Sequence, residues 1–106
     1  MVKKYIIVQT STDDLRLAEK IAYSALDSNK SACVNIIPSV RSIYKWKGAI
    51  SKSTEYIVQI KTAKNNFKKL EKIIQELHNY ETPEIISLEI NKIESNFCDW
   101  LKNETE

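Results

Sequence analysis

The sequence predicts an α+β fold: a four-stranded antiparallel sheet with two helices on one face and a short helix closing the chain. Three observations predict it. Apolar runs suited to strands recur at residues 3–10, 32–46, 54–62 and 84–90. Between the first and second runs, and again between the third and fourth, the apolar spacing lengthens to that of a helix. One Gly and two Pro in 106 residues leave little room for long loops, so disorder is expected only in the tail after Trp100.

Residues 3–10 are apolar on both parities, as suits a central strand covered on both faces. Ser11 and Thr12 are expected to supply N-cap oxygens, with Asp13 and Asp14 at the positive end of a helix. Leu15, Ala18, Ile21, Ala22, Ala25 and Leu26 then follow at helical spacing, carrying this helix to about Ser28. Residues 32–46 return to strand. Val34, Ile36, Val40, Tyr44 and Trp46 share one parity, and Cys33, Asn35, Ile37, Ser39, Arg41 and Ile43 the other. Pro38 cannot donate to a ladder, which predicts an edge strand or a bulge. Lys47-Gly48 marks a turn, residues 50–52 a brief pairing, and residues 54–62 a strand with Tyr56, Val58 and Ile60 on one face.

Phe67, Leu70, Ile73, Ile74 and Leu77 define the second helix, which ends near His78 with Pro83 well beyond it. Residues 84–90 form the last main strand, with Ile86, Leu88 and Ile90 facing one way. Ile93, Phe97, Trp100 and Leu101 predict a short C-terminal helix. The order βαββαβ, with both crossover helices on one face, is the ferredoxin-like arrangement. The sheet face away from the helices should be polar in a lone subunit. The parity assigned to it carries Ile37, Ile43, Ile57 and Ile85. A half-apolar open face predicts an oligomer interface, the other reading being scattered exposed aliphatics.

Composition bounds the function. A chain of this size fits a single domain, residues 1–106. The net charge of +2, from 16 basic and 14 acidic residues well mixed, argues against a polyanion-binding surface over the whole molecule. Tyr5 to Val8 is far shorter than the roughly 7–15 apolar residues of a signal peptide or the roughly 20 of a membrane span, so a cytoplasmic location is expected. Cys33 and Cys98 form no CxxC pair, and reduced thiols are expected.

No nucleophile elbow, P-loop or Gly-rich dinucleotide turn is present, and the lone histidine, His78, has no partner at sequence level; no enzymatic activity is expected. RNA recognition on the same strand order would place aromatics within a Gly-containing signature on the third strand. Residues 55–61 lack it. The basic stretch Lys64, Lys68, Lys69 and Lys72 is interrupted by Glu71 and Glu76 and reads as a solvated helix face. Cys33 and His78 are the candidate metal ligands, with Glu81 and Glu84 near the histidine. Equally, Cys33 reads as a small buried hydrophobe, and His78 as a helix C-terminal histidine favoured by the macrodipole.

Three segments carry a resemblance: residues 31–38 continuing through 42–48, residues 55–62, and residues 78–86. In this order and spacing they resemble the CutA divalent-ion-tolerance family, from the first strand to Phe97 and Trp100. The resemblance implies a tight homotrimer similar in architecture to the PII signalling proteins, with clefts between subunits and a role in tolerance of divalent metals, notably copper. It implies no settled enzymatic reaction. Tyr44, Trp46, Glu55, Lys61, Tyr80, Glu81 and Glu84 match the family pattern and are expected to line an intersubunit cleft, where the aromatics could also serve mainly as interface packing. Lys61 would offer a point charge to an anionic group, and Glu55 and Glu84 would shape selectivity.

The departures from the pattern bear on the site. Lys30-Ser31-Ala32 stands where the family usually has Leu-Ala-Ala, Ser39 where Gly is frequent, and Asn79 where Pro is frequent. Loss of that Pro is expected to free the loop after His78. Gln9 and Leu77 stand where some bacterial members carry a cysteine and a second histidine, so copper(II) contact at Cys33 and His78 is expected to be weak, not that of a permanent cofactor. A trimeric signalling or scaffold protein binding a small molecule or a partner's tail in the cleft is the alternative.

Overall fold

The computed structural model of the chain describes residues 4–105. Its elements run β1 (Tyr5–Thr12), α1 (Leu15–Asp27), β2 (Cys33–Trp46), β3 (Ala49–Ala63), α2 (Phe67–Leu77), β4 (Ile86–Ile90) and α3 (Ser95–Glu104), with a 3-10 turn over Lys64–Asn66. The four strands form one antiparallel sheet in the order β2-β3-β1-β4, the ferredoxin-like order. α3 runs past Trp100 to Glu104, so the expected loose tail is helical.

Helix α1 begins differently from expectation. Ser11 and Thr12 remain in β1, and Asp14 is the N-cap: its Oδ1 accepts from Arg16 N at 3.0 Å and Leu17 N at 3.3 Å. Thr12 Oγ1 instead accepts from Asp14 N at 3.2 Å, steering the chain out of the strand. At the far end Asn29 takes a left-handed φ of 60°, while Asn29 N bonds Leu26 O and Lys30 N bonds Ala25 O. That is a Schellman closure, and asparagine is among the few non-Gly residues that tolerate it.

α1 buries Ala18, Ile21 and Ala25, and α2 buries Leu70 and Ile74, one turn apart. They cover Ile6, Val8, Val58 and Ile60 of the central strands, where Val8 pairs with Ile60. The opposite sheet face is covered at one end only: Leu101 of α3 is buried against Tyr5 and Ala63, with Cys98 and Ile90 beside them.

Register corrects two facial assignments. Ile37 pairs with Ile57 and Val40 with Glu55, so three residues of β2 span two of β3, a bulge at Pro38-Ser39. One extra residue reverses the parity of everything after it. Val34 and Ile36 therefore face the helices, but Val40, Tyr44 and Trp46 lie on the open-face parity, opposite Glu55, Ser51 and Ala49, while Ile43 opposite Lys52 leaves it. In β4, Ile86 pairs with Gln9 and Leu88 with Ile7, placing Ile86, Leu88 and Ile90 on the open face, whereas Ile85 packs against the helix-covered core. Pro38 is both at the bulge and on an edge strand, as its missing N–H requires.

β3 is continuous from Ala49, without the separate pairing expected at residues 50–52. Trp46 pairs with Ala49 across Lys47 and Gly48, whose φ values of 50° and 82° make the two-residue turn with both centres left-handed that hairpins favour. The tip projects beyond the helices, leaving Ile43 68% and Ile50 76% exposed. No helix among the described residues is long and apolar enough to cross a membrane.

Candidate functional site

Two segments meet at the hairpin end of the open sheet face. One is the stretch of β2 after the bulge; the other is the loop from α2 to β4. Between them opens a cleft of about 890 Å³, lined by Tyr44, Trp46, Glu55, Tyr80, Glu81 and Glu84 together with Ser11, Ser42, Ile43, Lys45, Asn79, Thr82 and Pro83. The bulge is what builds it, because without the parity reversal Tyr44 and Trp46 would point to the other face.

Glu55 is only 6% exposed. Its Oε2 accepts the Tyr80 hydroxyl at 2.6 Å. Burial, reinforced by that hydrogen bond, pushes the Tyr80 phenol far above its ordinary pKa, so the hydroxyl stays a donor across the accessible pH range. At the other side, Gln59 Nε2 donates to Gln9 Oε1 at 2.9 Å and Gln9 Nε2 donates to Glu84 Oε2 at 3.0 Å, orienting Glu84 over the strand ends. Glu81 is exposed at the rim.

The loop that carries Tyr80 is tied down. Thr12 Oγ1 donates to Asn79 Oδ1 at 2.9 Å and Asn79 Nδ2 donates to Asp13 Oδ1 at 3.0 Å. Tyr80 N donates to His78 Nδ1 at 3.1 Å, which leaves the ring proton on Nε2, 2.8 Å from the Ser11 carbonyl. The expected freedom of this loop is therefore corrected: Asn79 holds through its side-chain amide what a proline would hold through its ring. Burial, the largest effect, holds His78 below the usual imidazole pKa.

The cleft does not gather every residue expected there. Lys61 lies six residues along β3 from Glu55, about 20 Å at strand rise. Its Nζ donates to Asn35 Oδ1 and stands 3.6 Å from Cys33 Sγ. Cys33 pairs with Lys61 across the ladder, whereas His78 contacts Ser11, which pairs with Ile57. Four residues of strand and two strand spacings thus separate the two candidate ligands, roughly 15 Å. Both ring nitrogens of His78 are engaged, and among the described residues no three His, Cys, Asp or Glu side chains stand together as a metal centre would need. The residues of one chain do not fit a metal site.

A protein-family model described as CutA1 divalent ion tolerance protein matches residues 6–104. This chain belongs to that family. The divalent-cation tolerance protein CutA of Thermus thermophilus is 33% identical over 99 residues, covering 93% of this chain and 96% of the relative. The chloroplastic protein CutA of Arabidopsis thaliana is 32% identical over 100 residues; the chain covers about half of that longer relative, 55%. A solved structure of the Thermus thermophilus divalent cation tolerance protein superposes with a TM-score of 0.91 at 32% identity, covering 96% of this chain and 99% of that one. CutA1 from Ehrlichia chaffeensis gives a TM-score of 0.91 at 27% identity over 100% of this chain and 99% of its own.

Within the family pattern the departures now have local reasons. Ser31 is buried, its hydroxyl donating to Lys61 O at 2.6 Å and accepting from Cys33 N at 3.2 Å. Ser39, where glycine is frequent, has a φ of 61° inside the bulge. Gln59 escaped the sequence reading, and Gln9 and Asn79 entered it only as departures from the family pattern, not as polar members of the cleft. Gln9 and Gln59 share the open-face parity of their strands, but only the pairing of β1 with β3 makes them neighbours.

Proposed function

We propose that this protein serves divalent-cation tolerance, copper included, as a cytoplasmic homotrimer of single-domain subunits that meets the cation transiently and holds none as a resident cofactor. One observation carries the reading. The family match spans both walls of the cleft, and the cleft opens on the sheet face that also exposes Ile86 and Leu88. An apolar face beside an unpaired strand edge is the kind of surface a second copy covers, and the two outer strands, β2 and β4, offer such edges. The divergent ligand positions support weak contact, since Gln9 and Leu77 supply neither thiolate nor imidazole.

The test joins light scattering to a calorimetric copper(II) titration of the same sample. The expected results are a mass near three subunits and weak, saturable binding that Cys33→Ser or His78→Ala lowers further. A monomer mass would overturn the assembly. Copper binding that ignores both substitutions would remove those ligands and favour a second reading, a trimeric signalling or scaffold protein whose cleft takes a small molecule. The engagement of both His78 ring nitrogens, by the Ser11 carbonyl and by Tyr80 N, supports that alternative.

A further inference from the structure

We infer that copies of this chain are joined by a cross-subunit ion pair, the Glu55 carboxylate of one copy with the partner subunit's Lys61, so that the cleft is complete only in the assembly. The inference rests on the self-association proposed above and names the contact that fastens it.

Strand register sorts the charged residues of the sheet. Arg41, Lys45, Lys52 and Glu89 fall on the parity of the helix-covered face. On the open face Glu55 is the only acidic strand residue and Lys61 the only basic one. Their companions there are apolar or neutral, among them Ile7, Ile57, Ile86 and Leu88. A copy laid over this face therefore takes two isolated charges out of water. Such charges are tolerated only where an opposite charge and good hydrogen bonds meet them.

Neither charge is met within its own chain. Glu55 has one donor, the Tyr80 hydroxyl at 2.6 Å. The Lys61 ammonium donates to Asn35 Oδ1 and stands 3.6 Å from Cys33 Sγ. An ammonium carries three donors, so one is left to give. The ion pairs among the described residues are Lys64 with Glu89 and Lys68 with Glu71, and neither involves Glu55 or Lys61. Six residues of β3 hold the two apart, about 20 Å at strand rise. They can meet only between copies.

The surroundings of each charge sharpen the match. Glu81 and Glu84 stand with Glu55 at the cleft, making that end of the face acidic. Around Lys61 the partners are the neutral Asn35 and Cys33, leaving that end basic. Acidic end against basic end is a head-to-tail contact. Repeated from copy to copy, it closes into a ring when the rotation allows.

The full chain is diluted in moderate urea and its mass followed by light scattering. Glu55→Gln and Lys61→Met should each raise the concentration of half-dissociation at least tenfold. The double variant should hold together at least threefold better than either single one, because it leaves no charge unpaired. Lys61→Arg keeps the charge and should stay within about threefold of the native chain. Lys52→Ala, on the other parity, should change nothing. Additive losses in the double variant, or a Lys61→Met assembly as tight as the native one, overturn the inference. Should circular dichroism show Glu55→Gln unfolded, carbodiimide coupling of the native chain decides. Covalent dimers joined by an amide between Glu55 and the partner subunit's Lys61 are expected, and coupling without that amide overturns the pair. A trimer indifferent to Lys61→Met sinks this inference alone, whereas a monomer mass for the native chain sinks the assembly with it.

Discussion

The two ends of the β2–β3 hairpin use the same strands to opposite effect. Near its base, Val58 and Ile60 are fully buried beneath Leu70, Ile74 and Ile21. Beyond the bulge, Tyr44 and Trp46 are more than two-fifths exposed, and Ile43 and Ile50 more so. The base is complete as it stands, since two helices supply the cover its apolar residues require. The outer half keeps several apolar residues but has no helix above it, and its side chains instead frame a charged cleft. Apolar residues at the base pack a closed core; those at the outer end line an open cleft.

The largest test of that contrast falls on the base. Leu70→Ala should cost about 2–5 kcal/mol in urea denaturation, because a fully enclosed side chain leaves a cavity that the surrounding helices and sheet cannot wholly close. A loss below about 1 kcal/mol would mean the base is as loosely held as the outer half. Tyr80→Phe tests whether the cleft floor is packed in its own right. It leaves Glu55 buried without its donor, and about 1–3 kcal/mol should be lost at pH 7.

His78, at the C-terminal end of α2, ties the loop that carries Tyr80 to the Ser11 carbonyl of β1. Its folded pKa lies below the unfolded value near 6.5, so the unfolded chain binds the proton more readily. Stability is therefore full above that unfolded value and falls as the pH drops from about 7 toward the lower folded pKa. Protonating Nδ1 also breaks its bond with Tyr80 N. Melting temperatures measured from pH 7.5 to 5.5 should decline in the native chain and more shallowly in His78→Gln; parallel declines would assign the effect to other groups. The smallest expected change is a gain. Ser39→Gly removes the strain of a left-handed serine in the bulge, worth about 1 kcal/mol, and should raise the melting temperature while leaving the cleft intact.

How much of this was legible in the sequence differs by level. Helix positions followed from spacing, since Ala18, Ile21, Ala25, Leu70 and Ile74 can share a buried stripe only on helices. The strand order followed from the alternation of elements. Facial assignment failed where one residue decides it: the bulge moves Val40, Tyr44 and Trp46 to the opposite side, and Pro38 announced a bulge without saying which residue would be extra. The β4 assignment failed because an edge strand's parity is set by pairing with its neighbour, here Ile86 against Gln9. For the site, the family resemblance singled out Tyr44, Trp46, Glu55, Tyr80, Glu81 and Glu84 together, but it also included Lys61, which the strand carries well away within the same chain.

Local patterning by itself determined most of the elements, the buried stripe of each helix and the hairpin turn at Lys47-Gly48, because propensity, period and turn chemistry act over a few residues. Tertiary structure alone decided that Glu55 would be buried beneath Tyr80, that Gln9 would orient Glu84, and that Cys33 and His78 would stand apart. Those facts depend on strand register and on which loop folds over which strand end. Register is a property of two chain segments at once, and no single segment carries it.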